Sequence, residues 1–451
     1  MGKLYSLGCL AVLSLLLVTG STALERPSKI IKNVFSPASN DSSILDAPKN
    51  ILRDITGTEE ESKVCYNRLG CFSLNDPWTS LIRPLPAPWS PTEISPNVML
   101  ITRNAGEPYN ISLNSEEFSM EGCDFNPNRP ATVVITHGFA NRGDAKWLSE
   151  MVEAYLKNVD ANAFILDWGD GATITNYLQV ASNTRIVGAS CARFLRHLIS
   201  KGLEPKKIHL MGHSLGSHIM SYCAKNISEI SKINRLTALD PAQPGFEGTP
   251  SKVRLASTDA EEVDVIHTDA KPFLPFFGFG MLSPVGTVDF YMNGGSSQPG
   301  CLQIAKPNIT GIADLVKYPV EVIADLIGCS HGRAYEFYTA ALNEKNCSFC
   351  GRKMMATETF LKVSTLGTLR LADPVVKELT SCNRDTCTFV GLDTFEYPAR
   401  GSFAVTTSGD PPYCEVRGDE SKKLRDTMTS GVRNFASRVV SYVGKKFKSF
   451  F

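Results

Sequence analysis

Lys207-Ile208-His209-Leu210-Met211-Gly212-His213-Ser214-Leu215-Gly216-Ser217-His218 is the stretch on which the fold turns. Ile208 and Leu210 alternate with their neighbours as in a buried strand, and the run from Leu215 to Ala224 can continue as a helix. Between them stands Gly212-x-Ser214-x-Gly216. A serine on so sharp a strand-to-helix turn sits in strained backbone. Strand and helix nearly touch on either side of it, so both flanking positions call for glycine. The hydroxyl then projects clear of the sheet, and the new helix aims its first N–H groups at charge developing there.

Working outward, the chain alternates short apolar strands with helical stretches. Val98–Ile101 reads as a strand. Ala131–Thr136 is a buried strand that runs into His137-Gly138-Phe139. Trp147–Leu156 reads as a helix, Asn162–Trp168 as a strand and residues 180–200 as a helix. Beyond the serine turn come strand ends at Leu239-Asp240-Pro241 and Val263-Asp264-Val265-Ile266-His267. This order predicts a mostly parallel sheet covered by helices on both faces. Sites on such sheets lie at the carboxyl ends of the strands, where His137-Gly138-Phe139, Ser214, Asp240 and His267 all fall.

A serine hydroxyl is too weak an acid to attack an ester unaided. It needs an imidazole to take its proton and a carboxylate to orient that imidazole. The expected chain order is Ser, Asp, His. Three histidines follow Ser214. His218 lies one turn along the same helix and points away. His267, at a strand end, and His331, in Cys329-Ser330-His331-Gly332, are both candidates, His331 in a loop anchored by a cysteine. Asp240 ends the first apolar strand after the turn and is the expected acid, with Asp264 and Asp269 as alternatives. Two N–H groups should face the developing oxyanion: that of Leu215, directly after the serine, and that of Phe139, in the loop after the strand ending at Thr136.

If Cys301 and Cys329 pair, they tie off residues 302–328 as a flap beside His331. Within it Ile312, Leu315, Val316, Val320 and Ile323 recur at helical spacing, opposite Asp314, Lys317, Glu321 and Asp325. An amphipathic flap of this kind suits a mobile lid over an apolar cleft. The run Phe273-Leu274-Pro275-Phe276-Phe277-Gly278-Phe279 with Met281 puts much apolar surface in a loop near the same edge, as an acyl-chain groove would require.

Compartment is also legible. Met1-Gly2-Lys3, an apolar run from Leu7 to Val18 and Gly20-Ser21-Thr22-Ala23 form a secretory signal peptide cut after Ala23, which makes the mature chain secreted and extracellular. Residues 24–61 read as a flexible leader or propeptide. The close spacings Cys65/Cys71, Cys347/Cys350 and Cys382/Cys387 read as disulfide staples, while Cys191 and Cys223 lie in apolar helical contexts as buried thiols. Sequons at Asn40, Asn110, Asn226, Asn308 and Asn346 allow glycosylation. Lys plus Arg and Asp plus Glu both number 46, so no nucleic-acid partner is expected.

Together these residues resemble the pancreatic lipase family of secreted lipases, over about residues 62–400. The motifs that carry the resemblance are Cys65-Tyr66-x-x-Leu69-Gly70-Cys71, His137-Gly138-Phe139, Asp167-Trp168, Arg185-Ile186-Val187-Gly188, Gly212-His213-Ser214-Leu215-Gly216, Leu239-Asp240-Pro241-Ala242, Val263 to Asp269, Gly278-Phe279-Gly280-Met281, Asn293-Gly294-Gly295 and Cys329-x-His331. The resemblance implies an α/β-hydrolase fold with Ser214 as nucleophile, Asp240 as acid, His331 as base in preference to His267, Phe139 and Leu215 as oxyanion donors, and a lid between Cys301 and Cys329. It implies triacylglycerol hydrolysis at a lipid–water interface through an acyl-enzyme. A phospholipase of the same family is the alternative, although relatives with that preference often have a much shorter lid. A non-catalytic lipid-binding protein on this scaffold is the other, although such relatives tend to lose a triad member.

The chain departs from the family pattern in two places. The family's calcium loop carries carboxylates in the stretch that here runs from Ser251 to Asp259. Arg254 and Asp259 match, whereas Ser251 and Ala256 stand where acids would, so neither a bound metal nor another cofactor is expected. The family's C-terminal β-sandwich is also not expected after residue 400, and with it no colipase-type partner. Residues 401–451 read instead as a tail. Val432, Phe435, Val439, Val440, Val443, Phe447 and Phe450 form one helical stripe, with Arg433, Arg438, Lys445, Lys446 and Lys448 as the only charges over 427–451. A basic amphipathic helix reads as an anchor to a membrane or lipid-droplet surface.

Overall fold

Alternate residues of each central strand bury on opposite faces of one sheet. In β5 of the computed structural model, Val134 belongs to the core on one face, and Val133 and Ile135 to the core on the other. The structure describes residues 62–414 apart from 105, 175, 302–311, 313–319, 345–346 and 355–382. The expected signal peptide, leader, basic tail helix, Cys382 and most of the lid lie outside the described residues.

The elements in chain order are β1 (Lys63–Tyr66), β2 (Gly70–Ser73), α1 (Pro91–Ile94), β3 (Asn97–Ile101), β4 (Tyr109–Ser112), β5 (Ala131–Thr136), α2 (Lys146–Asn158), β6 (Ala161–Asp167), α3 (Gly169–Ala172), α4 (Tyr177–Ser200), β7 (Ile208–His213), α5 (Leu215–Ile227), β8 (Arg235–Leu239), β9 (Glu262–His267), α6 (Phe273–Phe276), β10 (Val288–Met292), α7 (Val320–Asn343), β11 (Cys350–Lys353), β12 (Cys387–Phe389) and β13 (Gly401–Val405). β1 and β2 form a hairpin closed by the Cys65–Cys71 disulfide. The other strands form one 11-stranded sheet, in the order β12-β11-β13-β10-β9-β8-β7-β5-β6-β3-β4. The pairings from β6 through β5, β7, β8, β9 and β10 to β13 are parallel. Those of β3, β4, β11 and β12 at the two edges are antiparallel. A parallel sheet must have both faces covered. α4 and α5 pack on one face, where Phe164, Phe194, Leu195, Leu210, Ile219 and Leu236 share a core. α2 and α7 cover the other, around Leu148, Met211, Phe290, Phe337 and Tyr338. This is the expected α/β-hydrolase architecture.

Several expectations change on the structure. The sheet runs past residue 400: β13 pairs in register with β10, from Val288 with Gly401 to Met292 with Val405, so the domain extends through Cys414. Cys347 bonds Cys414 across a separation of 67 residues rather than its near neighbour Cys350. Cys350 instead opens β11, where it pairs in register with Phe389 of β12. Cys387 is disulfide-bonded, and Cys301 pairs with Cys329. Cys191 and Cys223 are buried thiols on the facing helices α4 and α5, with Sγ atoms 2.7 Å apart. The apolar loop after β9 turns inward: Phe277, Phe279 and Met281 are all buried. No helix among the described residues is long and apolar enough to cross a membrane.

Candidate active site

Ser214 stands between β7 and α5 at φ 57° and ψ −122°, a backbone conformation that costs a non-glycine residue of order 1–3 kcal/mol. The surroundings fix it there. Its N–H donates to Leu239 O at 3.0 Å, its carbonyl accepts from Ser217 N at 3.0 Å, and Ser217 Oγ donates to Gly212 O at 2.7 Å. Both expected glycines are sterically required. A Cβ on Gly212 would run into the Gly216 carbonyl, and one on Gly216 would lie 2.7 Å from His137 O and 2.8 Å from Thr136 O. A third glycine belongs with them. A Cβ on Gly138 would lie 2.7 Å from Ser214 Cβ and 3.2 Å from its Oγ, so only glycine lets the His137-Gly138-Phe139 loop lie against the serine.

That loop is held from below. His137 Nε2 lies 3.1 Å from Asp167 Oδ1, its Nδ1 3.0 Å from Gly138 O, and its ring stacks on Trp168, whose indole N–H donates to His137 O. Burial pushes the Asp167 carboxyl up, but the His137 contact and the N–H groups of Gly169 and Gly143 outweigh it and hold the group at about 2. Phe139 is buried against Tyr177, and Ala140 N donates to Ala172 O. The Leu215 N–H opens α5, where the first N–H groups have no partner within the helix.

Asp240 follows β8 at φ 45° and is fully buried. Its Oδ1 accepts from Thr268 N at 2.8 Å and Asp269 N at 3.2 Å. Its Oδ2 accepts from Asp269 N at 3.0 Å and meets His331 Nδ1 at 2.6 Å. Room for the carboxylate comes from Gly280, whose Cβ would lie 2.5 Å from Oδ2. The alternative acids are engaged elsewhere. Asp264 sits within β9 and takes a two-pronged contact from Arg235 at 2.9 and 2.8 Å, plus Thr237 Oγ1. Asp269 pairs with Lys271 at 2.6 Å and accepts from Phe279 N. Burial raises its pKa to about 6, with nearby Asp240 adding to the rise and Lys271 opposing it.

His331 is not in a loop, as the sequence suggested. It lies in the first helical turn after a break in α7 at Gly328, whose φ 56° and ψ −175° suit only glycine. The Cys301–Cys329 disulfide and the Gln298 N to Ser330 Oγ hydrogen bond at 3.1 Å anchor that turn. His213, the residue before the serine, donates from Nε2 to His331 O at 3.1 Å, and the two rings lie 4.6 Å apart. That tie links the residue before the serine to the helical turn that carries His331. His331 Nε2 is buried and makes no hydrogen bond among the described residues. His213 and Gly280 were not anticipated as parts of the site, although both lie inside motifs already noted, Gly212-His213-Ser214 and Gly278-Phe279-Gly280.

The other two candidate histidines are occupied. His218 bonds Ala242 O at 2.9 Å, accepts from Leu255 N and stacks on Phe246, and burial lowers it to about 3. His267 lies 2.9 Å from Asp289 Oδ1 through Nε2 and 2.9 Å from Met281 O through Nδ1.

The family described as Lipase matches residues 62–370. The chain is 38% identical over 309 residues to the pancreatic triacylglycerol lipase of Myocastor coypus, covering 68% of this chain and 65% of that one. It is 38% identical over 291 residues to the inactive pancreatic lipase-related protein 1 of Homo sapiens, covering 64% and 60%. The chain thus spans between 60% and 65% of the length of these relatives. Among solved structures, a Thermogutta terrifontis esterase aligns with a TM-score of 0.24 and 17% identity, over 34% of this chain and 65% of its own.

Proposed function

The chain belongs to the lipase family, and from that premise we propose that it is a serine hydrolase of lipid carboxylic esters, with triacylglycerol as its preferred substrate. One observation carries the reading. A buried imidazole is held by a buried carboxylate at 2.6 Å, has its second nitrogen unpartnered among the described residues, and is tied to the residue preceding a strained serine. In this reading Ser214 Oγ turns about its Cα–Cβ bond to meet His331 Nε2, as catalytic contacts often tighten only when substrate binds. Nε2 takes the hydroxyl proton as Oγ attacks the acyl carbon. The N–H groups of Phe139 and Leu215 face the oxyanion, and the imidazolium then protonates the departing alkoxide. Water, deprotonated by the same nitrogen, releases the fatty acid. Asp240 stays ionised throughout and keeps the Nδ1–H tautomer in place.

An inactive relative stands beside active ones, so family membership alone does not decide activity. The test is Ser214→Ala against emulsified triolein and phosphatidylcholine. Turnover is expected to fall at least about 10³-fold while binding to the emulsion persists; activity within tenfold of wild type would sink the proposal. Faster cleavage of phosphatidylcholine than of triolein would replace triacylglycerol by phospholipid as the substrate class. The long Cys301–Cys329 segment, at a separation of 28, favours the former.

The same reading covers the flanking segments. Residues 1–23 serve as a secretory signal and 24–61 as a leader, in keeping with the disulfides. Residues 302–328 act as the lid, and the basic 427–451 helix as a surface anchor. Deleting residues 419–451 should markedly weaken binding to anionic vesicles, and unchanged binding would rule the anchor out.

A further inference from the structure

The loop from Pro250 to Asp259, between β8 and β9, includes the positions at which the family's calcium ligands fall. The residues present do not fit a hard divalent ion, which needs six to eight oxygens, usually including several carboxylates. Asp259 is the one acid in the stretch from Ser251 to Asp259. Ser251 is exposed, and Ala256 offers a buried methyl group. Among the described residues no cluster of three or more His, Cys, Asp or Glu could hold a metal.

The oxygens that remain still converge on one point. Lys225 Nζ lies 2.7 Å from both Oδ1 and Oδ2 of Asp259, 2.9 Å from Arg254 O and 2.6 Å from Ser221 Oγ. Three protons thus meet a carboxylate, a carbonyl and a hydroxyl, which is everything an ammonium can donate. The Asp259 carboxylate is preset by its own turn: it accepts from Ala256 N at 3.0 Å, and Asp259 N donates to Ala256 O. Lys225 occupies the last turn of α5, where the helix end favours positive charge. Burial pushes Asp259 up and Lys225 down, and in each case the partner's charge is the first opposing influence.

We propose that the Lys225 ammonium is this chain's resident cation, standing where relatives with a full acidic loop would hold a divalent metal. It locks the far end of the Ser214 helix onto the loop that feeds β9, with the His218–Ala242 and Leu255–His218 hydrogen bonds at the helix's other end joining the same surfaces. The fold is thereby independent of divalent metal. This inference does not depend on which ester is cleaved.

The test is thermal unfolding of the full chain in 5 mM EDTA and in 10 mM CaCl₂. Wild type should shift by less than about 1 °C between the two. Lys225→Ala should lose about 5 °C or more in EDTA, because the Asp259 carboxylate is left buried and unpaired. It should not regain that loss in calcium, since the one carboxylate, one carbonyl and one hydroxyl left behind do not fit a hard divalent ion. If Lys225→Ala does not fold, the double variant Lys225→Met/Asp259→Asn, which removes both charges, should fold and ignore calcium. A wild-type shift of several degrees on adding calcium overturns the proposal. So does a Lys225→Ala variant as stable as wild type, or one that calcium restores.

Discussion

Two buried histidine–carboxylate pairs lie close to the end of β9, and they are built alike up to one atom. His331 meets Asp240 at 2.6 Å and His267 meets Asp289 at 2.9 Å, and all four residues are essentially inaccessible. Both carboxylates are also bonded by backbone N–H groups, from Thr268 and Asp269 in one case and from Val285 and Gly286 in the other. The difference is at the second ring nitrogen. That of His267 faces the Met281 carbonyl, so both its nitrogens face acceptors, an arrangement that favours the imidazolium. The ring also stacks on Tyr291 at 4.3 Å. That of His331 has no partner among the described residues. A carboxylate neighbour therefore does not mark a general base. A nitrogen left over to receive a proton does, and of the two only His331 has one.

The largest expected effect tests that contrast directly. On a soluble short-chain ester, His331→Ala should lower kcat at least about 10⁴-fold, whereas folded His267→Ala should stay within about tenfold of wild type. Equal losses would erase the distinction.

A smaller effect should run the opposite way. In urea unfolding, His267→Ala should cost about 3–5 kcal/mol, the range for breaking a buried ion pair by removing one partner. His331→Ala should cost about 1–3 kcal/mol, since it removes one contact from a carboxylate that keeps its backbone donors. A reversed order would mean that the imidazolium assignment at 267 is wrong.

The smallest effect is in pH. Burial alone favours neutral His267, but Asp289, with Asp240 and the Met281 carbonyl, outweighs it and raises the pKa above the ordinary histidine value. A raised histidine contributes stability that is full below the unfolded value and fades as pH climbs through the folded one. The stability gap between wild type and His267→Gln should therefore narrow between pH 6 and pH 9, by on the order of 1 kcal/mol. A gap that widens would contradict it.

Much of this was legible in the chain itself, because the forces involved are local. Alternating apolar residues announce β5, β7 and β9 within a few positions, and Gly212, Ser214 and Gly216 announce the turn, because no other side chains fit so close a crossing of strand and helix. The carboxyl-end rule then placed Asp240 and His267 near the serine. What the sequence left open were choices between distant partners. Whether His267 or His331 keeps a free nitrogen depends on Met281 and on the His213 tie to residue 331. Whether Cys347 takes Cys350 or Cys414, and whether residues 401–405 leave the sheet or join it, depends on the strand order around β10 and β13. Whether Asp259 awaits a metal or meets Lys225 depends on where α5 ends against the loop. Sterics and periodicity act over a few residues and can be read in order along the chain; the partner of a buried polar group is set by packing that brings together segments scores of residues apart, and no local signal encodes that.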